Sequence, residues 1–287
     1  MTTNPMKAFR TIQSGISILA ILLFVAFSGC NSTSNQAEQA DEAADTLVSE
    51  IALSPEAQNM LNSMPTPFEV TTLLEKAKAG FVFDITNPPA NVDKYITEVS
   101  KGLNLGIYSA DLSYSATYNR KDETNQFLSC TNKLANDLGI AGVYDQTLLD
   151  KVKIHSNNKD SMMALIVKVF GQTNEFLARN NRTKIAVLIA SGAFAEGLYL
   201  ASTLGEVAKD NTKIMAIVAA QKETHMKLLT ILEAYAADND MKPIFDNIQK
   251  LKPIWGNYNI ESGKQMDRPK VAEIADLTEG VRNAFAQ

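Results

Sequence analysis

The chain beyond residue 50 is expected to be all-α, a bundle of about eight to ten helices, on three observations. Apolar residues recur at helical spacing, as in Phe127, Cys130, Leu134 and Leu138. The breaks between such runs carry Asn, Asp, Gly or Pro, which is turn chemistry. No run of alternating β-branched residues is long enough to build a sheet. With 45% hydrophobic and 21% charged residues, the stretch 51–287 has an ordinary globular composition and can bury a sizeable core.

Each element follows from local signals. Ser54-Pro55 and Thr66-Pro67 place a capping hydroxyl before a proline suited to the first helical position, so a helix should start at each. The second should stop at Gly80, with a non-helical piece over 81–86 leading into Asn87-Pro88-Pro89. Helices are expected at 91–119, 122–139, 145–155, 159–180, 183–208, 211–238, 242–251 and 269–285. Gly106-Ile107-Tyr108-Ser109-Ala110 recurs 91 residues later as Gly197-Leu198-Tyr199-Leu200-Ala201. In each case a long helix is followed by a second and a shorter third. Two packed copies of one helical unit, 91–155 and 183–251, would produce that pattern.

The helix at 183–208 stands apart, because Glu196 is the only charged residue between Ile185 and Leu204. Its length and composition would suit a membrane span. Gly192, Gly197 and amphipathic neighbours fit a central helix covered on all sides better. Glu196 then needs a partner, since an unpaired carboxylate in a core is costly. The stripe Ile214, Val218, Gln221, His225, Leu228, Leu232 and Tyr235 on the next helix is apolar except for Gln221 and His225. Around a turn at Asp210-Asn211, Glu196 and His225 are equidistant, so the two should pair, with Gln221 one turn away. Such a pair could fix helix register. It could instead floor a pocket with Tyr199 beside it and Tyr108 entering from the matching helix, where paired titratable groups can do acid–base work.

Standard chemical motifs are missing. The two histidines form no His-Glu-x-x-His or di-iron pattern, so neither a metal nor a cofactor is expected. Ser156-Asn157-Asn158-Lys159 matches Ser-x-x-Lys without the accompanying Lys-Thr-Gly. Cys130, on its apolar stripe, reads as a buried inert thiol.

The first fifty residues say where the chain is expected to go. Lys7 and Arg10 precede a short apolar run, 16–27, which ends in Ser28-Gly29-Cys30. These are the parts of a secretory signal peptide. Phe27-Ser28-Gly29-Cys30 also resembles the lipobox of bacterial lipoproteins. That resemblance implies removal of residues 1–29 and acylation of Cys30, which anchors the chain in a lipid bilayer. Residues 30–50 carry Glu38, Asp41, Glu42, Asp45 and Glu50 and no basic residue, the composition of a disordered acidic tether. With the Ala195-Glu196-Gly197-Leu198-Tyr199 segment, the chain resembles helical lipoproteins of Bacteroidetes-type bacteria. Sorting rules of the class imply the outer membrane, at its periplasmic face, with no functional residue carried over. Removing 1–29 takes two of the 27 basic residues and none of the 32 acidic ones, leaving a net charge of −7 that argues against nucleic acid. Two function classes stay open: a lipoprotein whose helical domain binds or scaffolds a protein or small molecule, and an enzyme using Glu196 and His225 as an acid–base pair.

Overall fold

A computed structural model describes residues 53–287 other than 141, 144, 145, 156 and 157. The chain divides into two units, Met1–Leu47 and Val48–Gln287; the signal segment, Cys30 and the acidic tether lie outside the described residues. Among the described residues every regular element is helical, so the fold is all-α.

α1 (Pro55–Asn62) starts as expected: the Ser54 hydroxyl accepts from the Ala57 N–H at 3.2 Å, and Pro55 occupies a position needing no donor. α2 (Pro67–Lys76) starts at Thr66, whose N–H donates to the Glu69 carboxylate at 3.3 Å. It stops before Gly80. Lys78 takes a left-handed φ of 63°, and the Ala79 N–H closes on the Leu74 carbonyl at 3.0 Å. Burial of Ala79 and Leu74 fastens that stop, so the helix turns off on a lysine without using the nearby glycine.

The helix expected over 91–119 is two elements, a 3₁₀ turn at Pro89–Lys94 and α3 (Glu98–Thr117). Tyr95 separates them. Its backbone is extended, its ring is buried, and its hydroxyl accepts from Asn87 Nδ2 at 2.9 Å and donates to the Ala286 carbonyl at 3.3 Å. Thr97 then caps α3, accepting from the Ser100 N–H at 3.0 Å. α4 (Lys121–Asp137) buries its stripe Phe127, Cys130 and Leu134, with Leu138 just beyond. Burial pushes the Cys130 thiol up to about 11. The remaining helices are α5 (Gln146–His155), α6 (Lys159–Arg179), α7 (Thr183–Val207), α8 (Thr212–Glu233), α9 (Lys242–Gln249), α10 (Lys252–Asn257) and α11 (Arg268–Phe285). The short α10 extends the expected set, with a proline again in its first turn.

The centre of the fold is the crossing of α3 and α7. All residues from Gly102 to Thr117 and from Ile185 to Leu198 are buried. α2, α6, α8 and α11 cover the rest of α7. That helix is apolar and long enough to cross a membrane, and 94% of its most apolar window is buried inside the protein. The two helices touch through glycines. A Cβ on Gly106 would lie 2.0 Å from the Ile189 carbonyl oxygen, and one on Gly192 would lie 1.9 Å from that of Leu103. Gly197, which aligns with Gly106 in the repeated segment, has nothing within 4 Å of such a Cβ. The matching glycines therefore have different surroundings.

Candidate functional site

Glu196 does find partners, and they come from α3 and α11. Arg282 Nε donates to Glu196 Oε2 at 2.8 Å, and the guanidinium lies 5.3 Å from the Tyr199 ring centre. Asp111 of α3 completes the group, accepting through Oδ2 from the Asn87 N–H at 3.1 Å. Asp111 and Glu196 are fully buried, and Arg282 nearly so. With both carboxyls ionised, Asp111 Oδ1 and Glu196 Oε1 have no donor. Burial, and then the neighbouring Glu196 charge, hold the Asp111 carboxyl well above the usual carboxylate range, which favours its protonated form. In its acid form Asp111 can donate to the neighbouring Glu196 carboxylate, whereas two ionised carboxylates have no proton to share. Burial also raises Glu196, opposed by Arg282. The Asp–Glu–Arg centre joins three helices, and with Asp111 protonated it carries no net charge.

Asp111 and Arg282 were not singled out from the sequence, although a signal existed for each. Asp111 is the only charged residue from Gly102 to Thr117. Arg282 falls on the buried α11 stripe of Val271, Ile274, Ala275, Thr278 and Phe285.

The expected Glu196–His225 hydrogen bond is not made. His225 is buried, but its Nε2 donates to the Ile248 carbonyl at 2.8 Å and its Nδ1 accepts from Trp255 Nε1 at 2.8 Å. Phe194 is the α7 residue that meets the imidazole, ring to ring at 5.8 Å. The height inferred from the hairpin is right to within two residues. Two residues along a helix is a rotation of about 200°, so Glu196 points away from the side facing His225. The remaining candidates disperse. Tyr108 is buried and donates to the Pro88 carbonyl at 2.9 Å. Gln221 lines a narrow cleft with Phe194 and Thr224. Glu196 and Tyr199 share Arg282 as a neighbour, and His225 and Gln221 each lie near Phe194.

His225 has a fixed tautomer, with its proton on Nε2 and a lone pair occupied by Trp255. Burial holds its pKa below the ordinary 6.5. As pH falls through 6.5 the unfolded chain takes up a proton that folded His225 refuses, so stability declines with acidification and levels off below the folded value. Protonation also turns Nδ1 into a donor facing the Trp255 N–H. Trp255 is the only tryptophan in the chain. Its emission should change in an acid titration below pH 6.5 before the far-ultraviolet helix signal is lost; a change only at global unfolding would refute the coupling.

Among five clefts on the described residues, none is lined by Asp111, Glu196, His225 or Arg282. The most apolar runs beneath α6. Its walls include Leu112, Leu128, Met162, Leu165, Ile166 and Phe170, over a floor containing Ser109, Ser113 and Thr124. These hydroxyls already donate to backbone carbonyls four residues before them, which leaves a mostly apolar slot in which only the Thr66 hydroxyl has no partner. The cleft adjoins the one at Gln221 through Pro67 and Phe170. As it stands it is narrow, with a volume of about 30 Å³. Comparison with protein families, curated proteins and solved structures finds no match to this chain.

Proposed function

We propose that this chain is a lipid-anchored protein, attached through acylated Cys30 at the periplasmic face of an outer membrane, whose helical domain binds a small molecule or a segment of another protein. The observation that carries the binding reading is the apolar cleft beneath α6. Its walls present side chains that no neighbouring element covers completely. The buried charges do not compete for the role of site: Glu196 is paired with Arg282, none of the clefts reaches Asp111, Glu196 or Arg282, and both ring nitrogens of His225 are engaged. An acid–base enzyme built on Glu196 and His225 would need a contact that neither side chain makes.

Native mass spectrometry of residues 46–287 purified from the native cell type tests this. A stoichiometric extra mass that disappears in Ile166→Glu is expected, because the new carboxylate would sit in the apolar wall. A bare polypeptide mass would overturn the binding reading. For the anchor, labelled palmitate should be incorporated into the full chain and lost in Cys30→Ser. The duplication of 91–155 as 183–251 is part of the same proposal, and it fails if the two spans do not superpose with helix order kept.

A further inference from the structure

The apolar cleft continues into a second one of opposite character. Between α5 and α6 lies a cleft of about 240 Å³ lined by Lys151, Lys168, Gln172, Glu175 and Arg179. Leu148 and Leu165 line both clefts, so the two join at these side chains. Lys168, Gln172, Glu175 and Arg179 follow the i, i+4, i+7, i+11 spacing of one helical face, and Lys151 comes from α5. Three cations and one carboxylate make this cleft locally positive on a chain of net charge −5. The neighbouring turns of α6 supply Met162, Ile166 and Phe170 to the apolar cleft. One helix thus lines an apolar slot and, at its edge, a cationic mouth.

We propose that the joined clefts bind an anionic amphiphile, its single acyl chain in the slot and its carboxylate or phosphate head among Lys151, Lys168 and Arg179. This rests on the binding reading above and names the ligand class. Charge complementarity selects the head: arginine and lysine donors suit a carboxylate or phosphate, and the arginine fork can hold two oxygens at once. The slot selects the tail, because its lining is predominantly apolar and, of its hydroxyls, only that of Thr66 has no partner. Entry of the chain displaces α6, the element best suited to move. Of its 21 residues only Met162, Val169, Thr173 and Leu177 are buried.

The test uses residues 46–287, whose described hydrophobic core closes within Val48–Gln287. Palmitate, palmitoyl lysophosphatidate and neutral hexadecanol compete against a neutral fluorescent apolar probe. One of the two anions should compete roughly tenfold more tightly than hexadecanol. Lys168→Gln with Arg179→Gln, both at exposed positions, should reduce that anion to the level of the alcohol while leaving hexadecanol unchanged. A preference for palmitate identifies a free fatty acid, and one for lysophosphatidate identifies a phospholipid-derived ligand. Equal binding of anions and alcohol would overturn the anionic assignment and leave the binding reading standing. Failure of all three, and of the probe, would overturn both.

Discussion

Gly192→Ala should destabilise the protein by at least about 3 kcal/mol, and Gly197→Ala, five residues along the same helix, should be neutral or stabilising by up to about 1 kcal/mol. The two substitutions are chemically identical and differ only in surroundings. At Gly192 the added Cβ would lie 1.9 Å from the Leu103 carbonyl oxygen and 2.8 Å from its carbon. Those are backbone atoms in the buried stretch of α3, so no side-chain rotation relieves the clash. α3 and α7 would have to move apart, opening gaps along the crossing. At Gly197 the methyl group meets nothing, and alanine simply lowers the backbone entropy lost on forming a helix. Gly106→Ala should be as severe as Gly192→Ala, since its Cβ would meet Ile189 oxygen at 2.0 Å. The double variant should cost less than the sum, because the first clash already separates the helices. Urea unfolding of the four variants decides the matter. Equal midpoints for the Gly192 and Gly197 variants would mean that the helices are not in backbone contact.

The second large effect is at the charged centre. Arg282→Met should cost about 3–5 kcal/mol, because it leaves Glu196 buried with an acid and no cation. Adding Glu196→Gln to Arg282→Met should recover most of that loss, as a neutral amide needs no counter-charge. Near-equal stability of the single and double variants would show that the arginine matters for packing alone. Asp111→Asn separates the proton from the charge. An amide can still donate to Glu196 and accept from Asn87, and it does not titrate. Folding raises the Asp111 pKa above its ordinary 3.8, so above that pH the unfolded chain releases a proton that the folded chain retains. Stability contributed by protonated Asp111 is therefore fully present below pH 3.8 and is lost as pH rises toward its folded value. Asp111→Asn should gain on the wild type as pH rises and converge with it near pH 4. A constant difference across pH would mean that Asp111 is ionised in the folded protein.

Much of the helical plan was legible because local chemistry sets it. The Ser54-Pro55 and Thr66-Pro67 starts, the stripe of α4 and the uncharged run of α7 all reappear where their side chains require them. The departures are places where a distant contact outweighs a local signal. Tyr95 interrupts a helical stretch because its hydroxyl is held by Asn87 and by the carbonyl of Ala286, at the other end of the chain. α2 ends at Lys76 and the chain turns away at Lys78, because buried Ala79 and Leu74 close the turn before Gly80.

The candidate site was legible as a need more than as a place. A lone carboxylate in an apolar helix demands a partner, and the sequence establishes that for Glu196. Hairpin arithmetic sets the height of a residue and leaves its azimuth open, which is why His225 looked like the partner while Phe194 occupies the facing position. Asp111 and Arg282 reach Glu196 from helices 85 or more residues away in either direction along the chain. No periodicity encodes that meeting. The amphiphile cleft is similar: its cationic and apolar edges lie on one helix, but α2, α3, α4 and α5 supply the opposing walls.

By itself, then, the sequence determined the helical class, most of the breaks, and the presence of a carboxylate that had to be neutralised, because these depend on propensity, spacing and solvation within one segment. The tertiary structure alone decided which glycines lie at the crossing, which cation answers Glu196 and which walls enclose the cleft. Those outcomes depend on how helices rotate against one another, and that rotation is set by packing summed over the whole core.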